Sequence, residues 1–164
     1  MDQKNVLITG ATGMVGSHVL NLLLEDERVG KVVSISRRST GLTHPKLQEI
    51  IHQDFLDFSS LSTQLTGIDA CLYCLGVYQN QVTKEQFYEI TCDYQKALTD
   101  VLEKTSPHMT FGLFGARGAD PDEKSPLLFA RVKGRAEKLL SQTSFPRKYI
   151  FRPGYIHPTG ERRP

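Results

Sequence analysis

The chain has 164 residues, of which 39% are hydrophobic and 23% charged, and a net charge of +2, as is typical of one globular domain. It contains neither an apolar run long enough to cross a membrane nor a secretory signal, so we expect a cytoplasmic protein that does not bind membranes. Residues 129–164 carry nine of the 20 basic and two of the 18 acidic side chains, but no nucleic-acid-binding motif accompanies them. This basic quarter therefore favours an anionic ligand over nucleic acid.

Apolar runs that predict strands alternate with helical patterns along the chain. The predicted strands are Lys4–Thr9, Lys31–Ser36, Leu47–Gln53, Asp69–Leu75, Thr110–Phe114 and Lys148–Arg152. The predicted helices run from Met14 to the acidic stretch 25–27, and over Phe58–Leu65, Lys84–Lys104 and Leu127–Gln142. In the helix over residues 84–104, the predicted buried face consists of Phe87, Ile90, Tyr94, Leu98 and Val101. This alternation predicts an α/β fold with a doubly wound parallel sheet between two helical layers, formed as a single domain by residues 1–164.

A glycine-rich segment joins the first predicted strand to the first helix. It consists of Gly10, Ala11, Thr12, Gly13, Met14, Val15 and Gly16. In this context glycines permit a tight turn, let a pyrophosphate approach the backbone and let the helix pack close to the sheet. The N–H groups at the start of the helix then favour an anion, and Thr12 adds a hydroxyl. We therefore predict a dinucleotide site here, with an ordinary strand-to-helix turn as the alternative.

The carboxyl ends of the other strands supply further candidates, because ligands of parallel sheets bind at that edge. Arg37 and Arg38 follow the second strand, where an acidic residue would bind the ribose of NAD and an arginine the 2′-phosphate of NADP. We therefore expect NADP(H), with NAD(H) as the alternative. Asp54 follows the third strand and is a candidate acceptor for the adenine amino group. Leu75 and Gly76 end the fourth, where glycine would let the backbone approach the ribose.

These motifs together resemble the atypical short-chain dehydrogenases/reductases, and above all the oxidoreductase branch named for a Tat-interacting protein. The resemblance covers nearly the whole chain. It rests on residues 7–13, Gln53-Asp54, Leu75-Gly76, Gly118-Ala119-Asp120, Val132-Lys133-Gly134 and Arg152-Pro153-Gly154. It implies a Rossmann fold with NADP bound, and a nicotinamide amide held by the backbone that follows Pro153 and Gly154, near Ile156.

The resemblance also implies a catalytic set, which this chain retains only in part. In that superfamily a serine positions the carbonyl, a tyrosine exchanges a proton with its oxygen, and a lysine four residues later holds the nicotinamide ribose. Lys133 keeps the lysine position, but Phe129 stands in place of the tyrosine and Gly115 in place of the serine. Neither residue carries a hydroxyl, so the standard carbonyl reduction is not expected. Tyr78 and Ser125 are the alternative proton donors.

Two functions stay open on this sequence. One is an NADP(H)-dependent oxidoreductase with altered chemistry, in which Lys133 is the retained catalytic residue. The other is a non-catalytic NADP(H)-sensing regulator or protein-interaction module. Members of the family usually continue into a segment that closes the substrate pocket, and we expect the polar tail Gly160–Pro164 not to form such a wall. The substrate side is then expected to be open, completed by a partner, or formed by a segment outside this chain, and the small-molecule substrate or protein partner is unknown.

The cysteines and histidines do not form a metal-binding pattern. The five histidines are scattered without ligand spacing, so no metal site is predicted. Cys71, Cys74 and Cys92 are odd in number, and two of them lie in a predicted strand. We expect all three to be buried free thiols that have neither a redox role nor a metal-binding role.

Overall fold

In the computed structural model, which describes residues 2–158, the chain forms one six-stranded parallel sheet. The strands are β1 (Lys4–Thr9), β2 (Val29–Ser36), β3 (Leu47–Ile51), β4 (Ala70–Tyr73), β5 (Thr110–Phe114) and β6 (Arg147–Phe151). The helices are α1 (Met14–Glu25), α2 (Lys84–Tyr88), α3 (Tyr94–Thr105) and α4 (Leu128–Ser141). The strand order β3-β2-β1-β4-β5-β6 reverses direction between β1 and β4, which confirms the predicted doubly wound fold. The predicted tail Gly160–Pro164 lies outside the described residues.

The segment predicted as a helix at Phe58–Leu65 forms only a 3-10 turn at Ser59–Leu61, so the helix prediction is wrong. Hydroxyl groups explain the difference, because Ser62 donates to the Ser59 carbonyl and Thr66 to the Ser62 carbonyl. Such local side-chain bonds compete with regular helical hydrogen bonding. The apolar residues of this segment still enter the core, as Phe58 and Leu65 are buried.

The long helix predicted over residues 84–104 contains a π-helical turn, Glu89–Asp93, between α2 and α3. A π turn inserts one residue and so rotates the following side chains about the helix axis. Phe87 and Leu98 are buried as predicted, whereas Ile90, Tyr94 and Val101 are only half-buried. In their place the core includes Cys92 and Leu102, together with the polar residues Thr91, Gln95 and Thr99.

The two faces of the sheet are covered unequally. On one face α2, α3 and α4 pack against β1, β4 and β5, and this cluster includes Leu7, Phe111, Leu98 and Leu140. On the other face α1 packs over β1 and β2 through Leu20 and Leu24. The strand register continues this second face from Leu72 through Gly112 to Tyr149 and Phe151 on β6. These two aromatic side chains are 55% and 52% exposed, so the second face is open at its far end.

The three cysteines are free, and Cys71 and Cys92 are buried as predicted, whereas Cys74 is only half-buried. Burial raises the pKa of the Cys74 thiol to about 11 and that of Cys92 to about 12, and it raises the pKa of Cys71 as well. The thiols are therefore protonated at neutral pH. Separately, none of the helices within residues 2–158 has the length and apolar character needed to span a bilayer.

Candidate functional site

The glycine turn that follows β1 is shaped by contacts that leave no room for side chains. Gly10 has a positive φ of 76°, and a Cβ there would lie 2.5 Å from the carbonyl carbon of Cys74 at the end of β4. A Cβ on Gly16 would overlap the Gly10 carbonyl. Gly13 begins α1 without any side-chain cap, and the first turn of the helix carries no acidic residue. The turn therefore presents backbone N–H groups to an anion at the carboxyl edge of the sheet.

A cavity of about 430 Å³ lies beside this turn. Its lining is formed by the turn, by α1 and by the loop after β2, and consists of Ala11, Thr12, Ser17, Leu20, Asn21, Arg38, Ser39, Thr40 and Leu42. The structure thus brings together Thr12 and Arg38, two of the predicted cofactor residues. Ser39 and Thr40 were not predicted as site residues, although their position directly after Arg38 is the signal that would have found them.

Arg37 does not line this cavity and lies toward β3. Its carbonyl accepts a hydrogen bond from the Gln53 side chain at 2.9 Å. Burial raises the pKa of Tyr94, as does its hydrogen bond to Glu89, and the charges of Arg37 and Asp54 are close enough to contribute. The exposed carboxylate of Asp54 accepts from the backbone N–H of Leu56. Arg37 and Asp54 therefore both lie toward Tyr94, and neither lines the cavity that contains Arg38.

The end of β4 lies directly against the glycine turn. The Cys74 N–H donates to the Thr9 carbonyl at 3.1 Å, and a Cβ on Gly10 would meet the Leu75 backbone nitrogen. Leu75 is half-buried against the core. Gly76 differs from Gly10 and Gly16, because a Cβ there would have no neighbour within 4 Å. The backbone at Gly76 is accordingly exposed and approachable.

A second cavity, of about 200 Å³, joins the start of α1 to the segment after β6. Its lining consists of Met14, Tyr78, Gly154, Tyr155, Ile156 and Pro158. The structure thus places three predicted cofactor residues, Met14, Gly154 and Ile156, around one space together with Tyr78. Pro153 fixes this segment, since its carbonyl accepts from the Arg117 N–H at 2.9 Å.

Lys133 lies in an aromatic environment on α4. Its Nζ is 6.0 Å from the centroid of the Phe87 ring, and the Phe129 ring stacks on Phe87 at 6.3 Å. Burial lowers the pKa of Lys133 below its ordinary value. Within residues 2–158 its ammonium group forms no ion pair with a carboxylate. Phe129 thus packs on the same ring over which the Lys133 ammonium group lies.

Next to Gly115 lies an ion pair that the sequence does not predict, formed by the buried Glu137 and the half-exposed Arg152. Glu137 is 2% exposed and accepts from Arg152 at 2.8 Å to Nε and 2.5 Å to Nη2, which ties α4 to β6. A Cβ on Gly115 would lie 3.6 Å from the Glu137 carboxylate. The only sequence signal is an acidic residue within the apolar pattern of α4, beside Ala136 and Leu140.

Ser125 is a structural residue at the approach to α4. Its N–H donates to the Asp120 carboxylate at 2.7 Å, and its hydroxyl accepts from the Leu127 N–H. The Ser125 N–H also lowers the pKa of Asp120. A Cβ on Gly134 would overlap the Asp120 carbonyl, so Asp120 and Gly134 lock the loop onto the helix. Two motifs of the family resemblance thus have a structural role here, and Tyr78 is the better-placed candidate donor.

Comparisons with known proteins agree with this architecture. The sequence matches the NAD dependent epimerase/dehydratase family over residues 6–138. Protein HTATIP2 of Rattus norvegicus is 30% identical over 159 residues, which cover 95% of this chain and 64% of the rat protein. The mitochondrial protein fmp52 of Aspergillus niger is 30% identical over 171 residues, which cover 97% of this chain and 68% of that protein. These relatives confirm the predicted family resemblance, and the chain spans about two thirds of their length.

Solved structures with low sequence identity share the fold. The Bordetella bronchiseptica enzyme WbmG in complex with NAD superimposes with a TM-score of 0.74 at 14% identity, over 92% of this chain and 53% of the enzyme. A putative NAD-dependent epimerase/dehydratase from Bacillus halodurans gives a TM-score of 0.72 at 22% identity, over 92% of this chain and 70% of that protein. The predicted Rossmann-like fold is therefore confirmed.

The predicted cytoplasmic location is wrong by the same comparisons. The fungal relatives from Emericella nidulans, Aspergillus niger and Aspergillus fumigatus are all named as mitochondrial proteins. The prediction depended on the lack of a secretory signal and of a membrane-spanning run. Neither feature distinguishes the cytosol from the mitochondrion.

Proposed function

The chain belongs to the NAD dependent epimerase/dehydratase family, and from that premise we propose that it binds a nicotinamide dinucleotide at the carboxyl edge of its sheet, with a preference for NADP(H). The observation that carries this proposal is the uncapped start of α1 beside the 430 Å³ cavity. Backbone N–H groups of residues 10–16 would hold the pyrophosphate. The cavity supplies a guanidinium at Arg38 and hydroxyls at Thr12, Ser39 and Thr40, and its lining includes no carboxylate.

This lining supports NADP(H) over NAD(H) for an electrostatic reason. A phosphate needs several hydrogen-bond donors and a positive charge, whereas a ribose hydroxyl needs an acceptor. Arg38 and the neighbouring hydroxyls fit the first requirement. Arg37, nearer to Asp54, is proposed to contribute charge from the side of the adenine.

The remaining contacts of the cofactor are proposed from their place at the strand ends. Asp54 would accept from the adenine amino group, Leu75 and Gly76 would border the ribose, and Lys133 would hold the nicotinamide ribose. The nicotinamide amide would bind the backbone after β6, at Pro153, Gly154 and Ile156. When bound, the cofactor supplies or accepts a hydride. The activity class that we propose is accordingly an oxidoreductase, with Phe129 and Gly115 in place of the usual hydroxyl groups.

A second candidate function is an NADP(H)-sensing module without catalysis. It is favoured by the packing of Phe129 on Phe87 and by the ion pair next to Gly115, because these groups occupy the region where the usual hydroxyls would act.

We also propose a mitochondrial location, which the names of the fungal relatives support. The half-exposed aromatic side chains of β6 support a cofactor domain whose substrate side is closed by a further segment or a partner.

Calorimetric titration with NADPH and NADH tests this proposal. We expect tight binding of NADPH by the wild type, and an Arg38→Ala affinity for NADPH lower by roughly tenfold with little change for NADH. Arg37→Ala should have a smaller effect in the same direction. Arg147→Ala, an exposed arginine on β6, is the matched control and should change neither affinity. Equal losses for both cofactors would overturn the NADP preference, and binding of neither cofactor to the wild type would overturn the function.

A further inference from the structure

The ion pair between Glu137 and Arg152 joins α4 to the end of β6 in a defined geometry. Both carboxylate oxygens of Glu137 accept from the Arg152 guanidinium, one from Nε and the other from Nη2. Taking a carboxylate out of water is costly, and apolar side chains of similar volume would join the two elements at least as well. Two parallel hydrogen bonds to a planar guanidinium fix its orientation as well as its distance. What the pair adds to packing is therefore a fixed position for Arg152.

Arg152 directly precedes the segment that is proposed to hold the nicotinamide amide. β6 ends at Phe151, and the next residues lead to Gly154 and Ile156, which line the 200 Å³ cavity beside the start of α1. Two described contacts hold the beginning of this segment. One is the hydrogen bond from the Arg117 N–H to the Pro153 carbonyl at 2.9 Å, and the other is the ion pair of Arg152. The position of the segment thus depends in part on a side chain of α4.

The same helix carries the residue that is proposed to hold the nicotinamide ribose. Lys133 and Glu137 are four residues apart on α4, a spacing that places two side chains next to each other on one side of a helix. The Lys133 Nζ lies 6.0 Å from the centroid of the Phe87 ring. The helix itself is fixed by the close approach of Gly134 to the Asp120 carbonyl. One turn of a fixed helix therefore relates the proposed ribose contact to the proposed amide contact.

We propose that Glu137 is a positioning residue for the nicotinamide: through Arg152 it holds the backbone of residues 153–156 where the amide of the cofactor binds. The inference rests on the proposed binding of a nicotinamide dinucleotide. It assigns the ion pair to one half of that cofactor, because the pyrophosphate and the 2′-phosphate would bind at the glycine turn and at Arg38. Loss of the pair should therefore weaken the contacts of the nicotinamide and leave those of the other half intact.

Two ligands that differ only in the nicotinamide test the assignment in the full chain. NADPH contains the nicotinamide, and 2′-phospho-ADP-ribose is the same molecule without it. By calorimetric titration, we expect Arg152→Ala to lower the affinity for NADPH about tenfold and the affinity for 2′-phospho-ADP-ribose less than about twofold. Glu137→Gln should lower the affinity for NADPH by a smaller factor, because its amide keeps one acceptor oxygen. Arg152→Lys should retain most of the wild-type affinity, because the positive charge stays next to the carboxylate.

The controls separate positioning from a loss of folding. Arg147→Ala, at the start of the same strand, should change the affinity for neither ligand. Binding of 2′-phospho-ADP-ribose by Arg152→Ala shows that this variant is folded, and Glu137→Gln replaces it in the comparison if it does not fold. The fluorescence of the reduced nicotinamide gives a second readout, because its emission depends on how the ring is held. At saturation, we expect a smaller enhancement of NADPH emission with Arg152→Ala than with the wild type.

Three results would overturn the inference. One is an equal loss of affinity for both ligands in Arg152→Ala, which would mean that the pair supports the fold alone. Another is an unchanged affinity of this variant for NADPH. The third is a wild type that binds NADPH no more tightly than 2′-phospho-ADP-ribose, since no nicotinamide contact would then exist to be positioned. A wild type that binds neither ligand would instead remove the proposed function on which the inference rests.

Discussion

The two halves of the sheet differ in what they retain for a dinucleotide-dependent reaction. In the half formed by β1, β2 and β3, the glycine turn, the uncapped start of α1 and the cavity beside Arg38 occur together. In the half formed by β4, β5 and β6, Gly115 and Phe129 lack hydroxyls, and one face of the sheet leaves aromatic side chains half exposed. Under the proposed function, the first half would hold the pyrophosphate and the 2′-phosphate, and the second half the ribose and the nicotinamide.

Under the proposed function, cofactor binding and chemistry would depend on different groups of atoms in this fold. In the first half, the proposed anion site is formed mainly by backbone groups, so its geometry depends on the absence of side chains at Gly10 and Gly16. In the second half, the proposed role of Lys133 depends on a side-chain atom. The close contact between Gly134 and Asp120 fixes α4 there independently of the Phe129 side chain.

The largest loss of stability is expected at the glycine turn in the first half of the sheet, where two backbone segments lie in close contact. In Gly16→Ala the new methyl group would overlap the Gly10 carbonyl, which cannot move without breaking the turn. We expect a loss of about 3 kcal/mol or more in the free energy of unfolding. Gly76→Ala is the matched control, since its methyl group would have no neighbour within 4 Å. Thermal unfolding followed by circular dichroism compares the two, and similar melting temperatures would contradict a turn shaped by close contacts.

An intermediate effect is expected at the ion pair of the second half. Arg152→Ala leaves the buried Glu137 carboxylate without its two hydrogen bonds, and we expect a loss of roughly 2 kcal/mol. Arg147→Ala, at the start of β6, removes an exposed arginine whose Nε donates to the Thr110 hydroxyl, and should change the free energy of unfolding by less than about 0.5 kcal/mol. Adding Glu137→Gln to Arg152→Ala should recover part of the loss, because a neutral amide needs no counterion. Urea unfolding measures all three, and equal losses for the two arginine variants would argue against a structural role for the pair.

The smallest effect is expected on the open face of β6. Replacing Tyr149 and Phe151 together by serine should lower the free energy of unfolding by no more than about 1 kcal/mol, because both side chains are half exposed. Phe111→Ala, on the neighbouring strand but fully buried, should cost about 4 kcal/mol. A double variant that is destabilised as strongly as Phe111→Ala would mean that this face is covered in solution.

Much of the fold follows from short-range patterns in the sequence. The bounds predicted for Lys4–Thr9 and Thr110–Phe114 match β1 and β5, and the glycine turn lies between a strand and a helix as predicted. These predictions hold because apolar runs and closely spaced glycines determine the local backbone conformation through neighbouring residues. The 3-10 turn at Ser59–Leu61 and the π turn at Glu89–Asp93 were missed, since hydroxyl bonds and core packing there outweigh the local pattern.

The sequence by itself determined the order of strands and helices along the chain, the position of the glycine turn between the first strand and the first helix, and the absence of a hydroxyl group at Gly115 and Phe129. Each of these depends on residue identity and on spacing within a few turns of the chain. The tertiary structure alone decided that Tyr78 shares a cavity with Gly154 and Ile156, that Arg152 reaches Glu137, and that Arg38 lines the cavity while Arg37 does not. Such contacts join residues far apart in the chain, and they form only when the strand order brings different strand ends to one edge of the sheet.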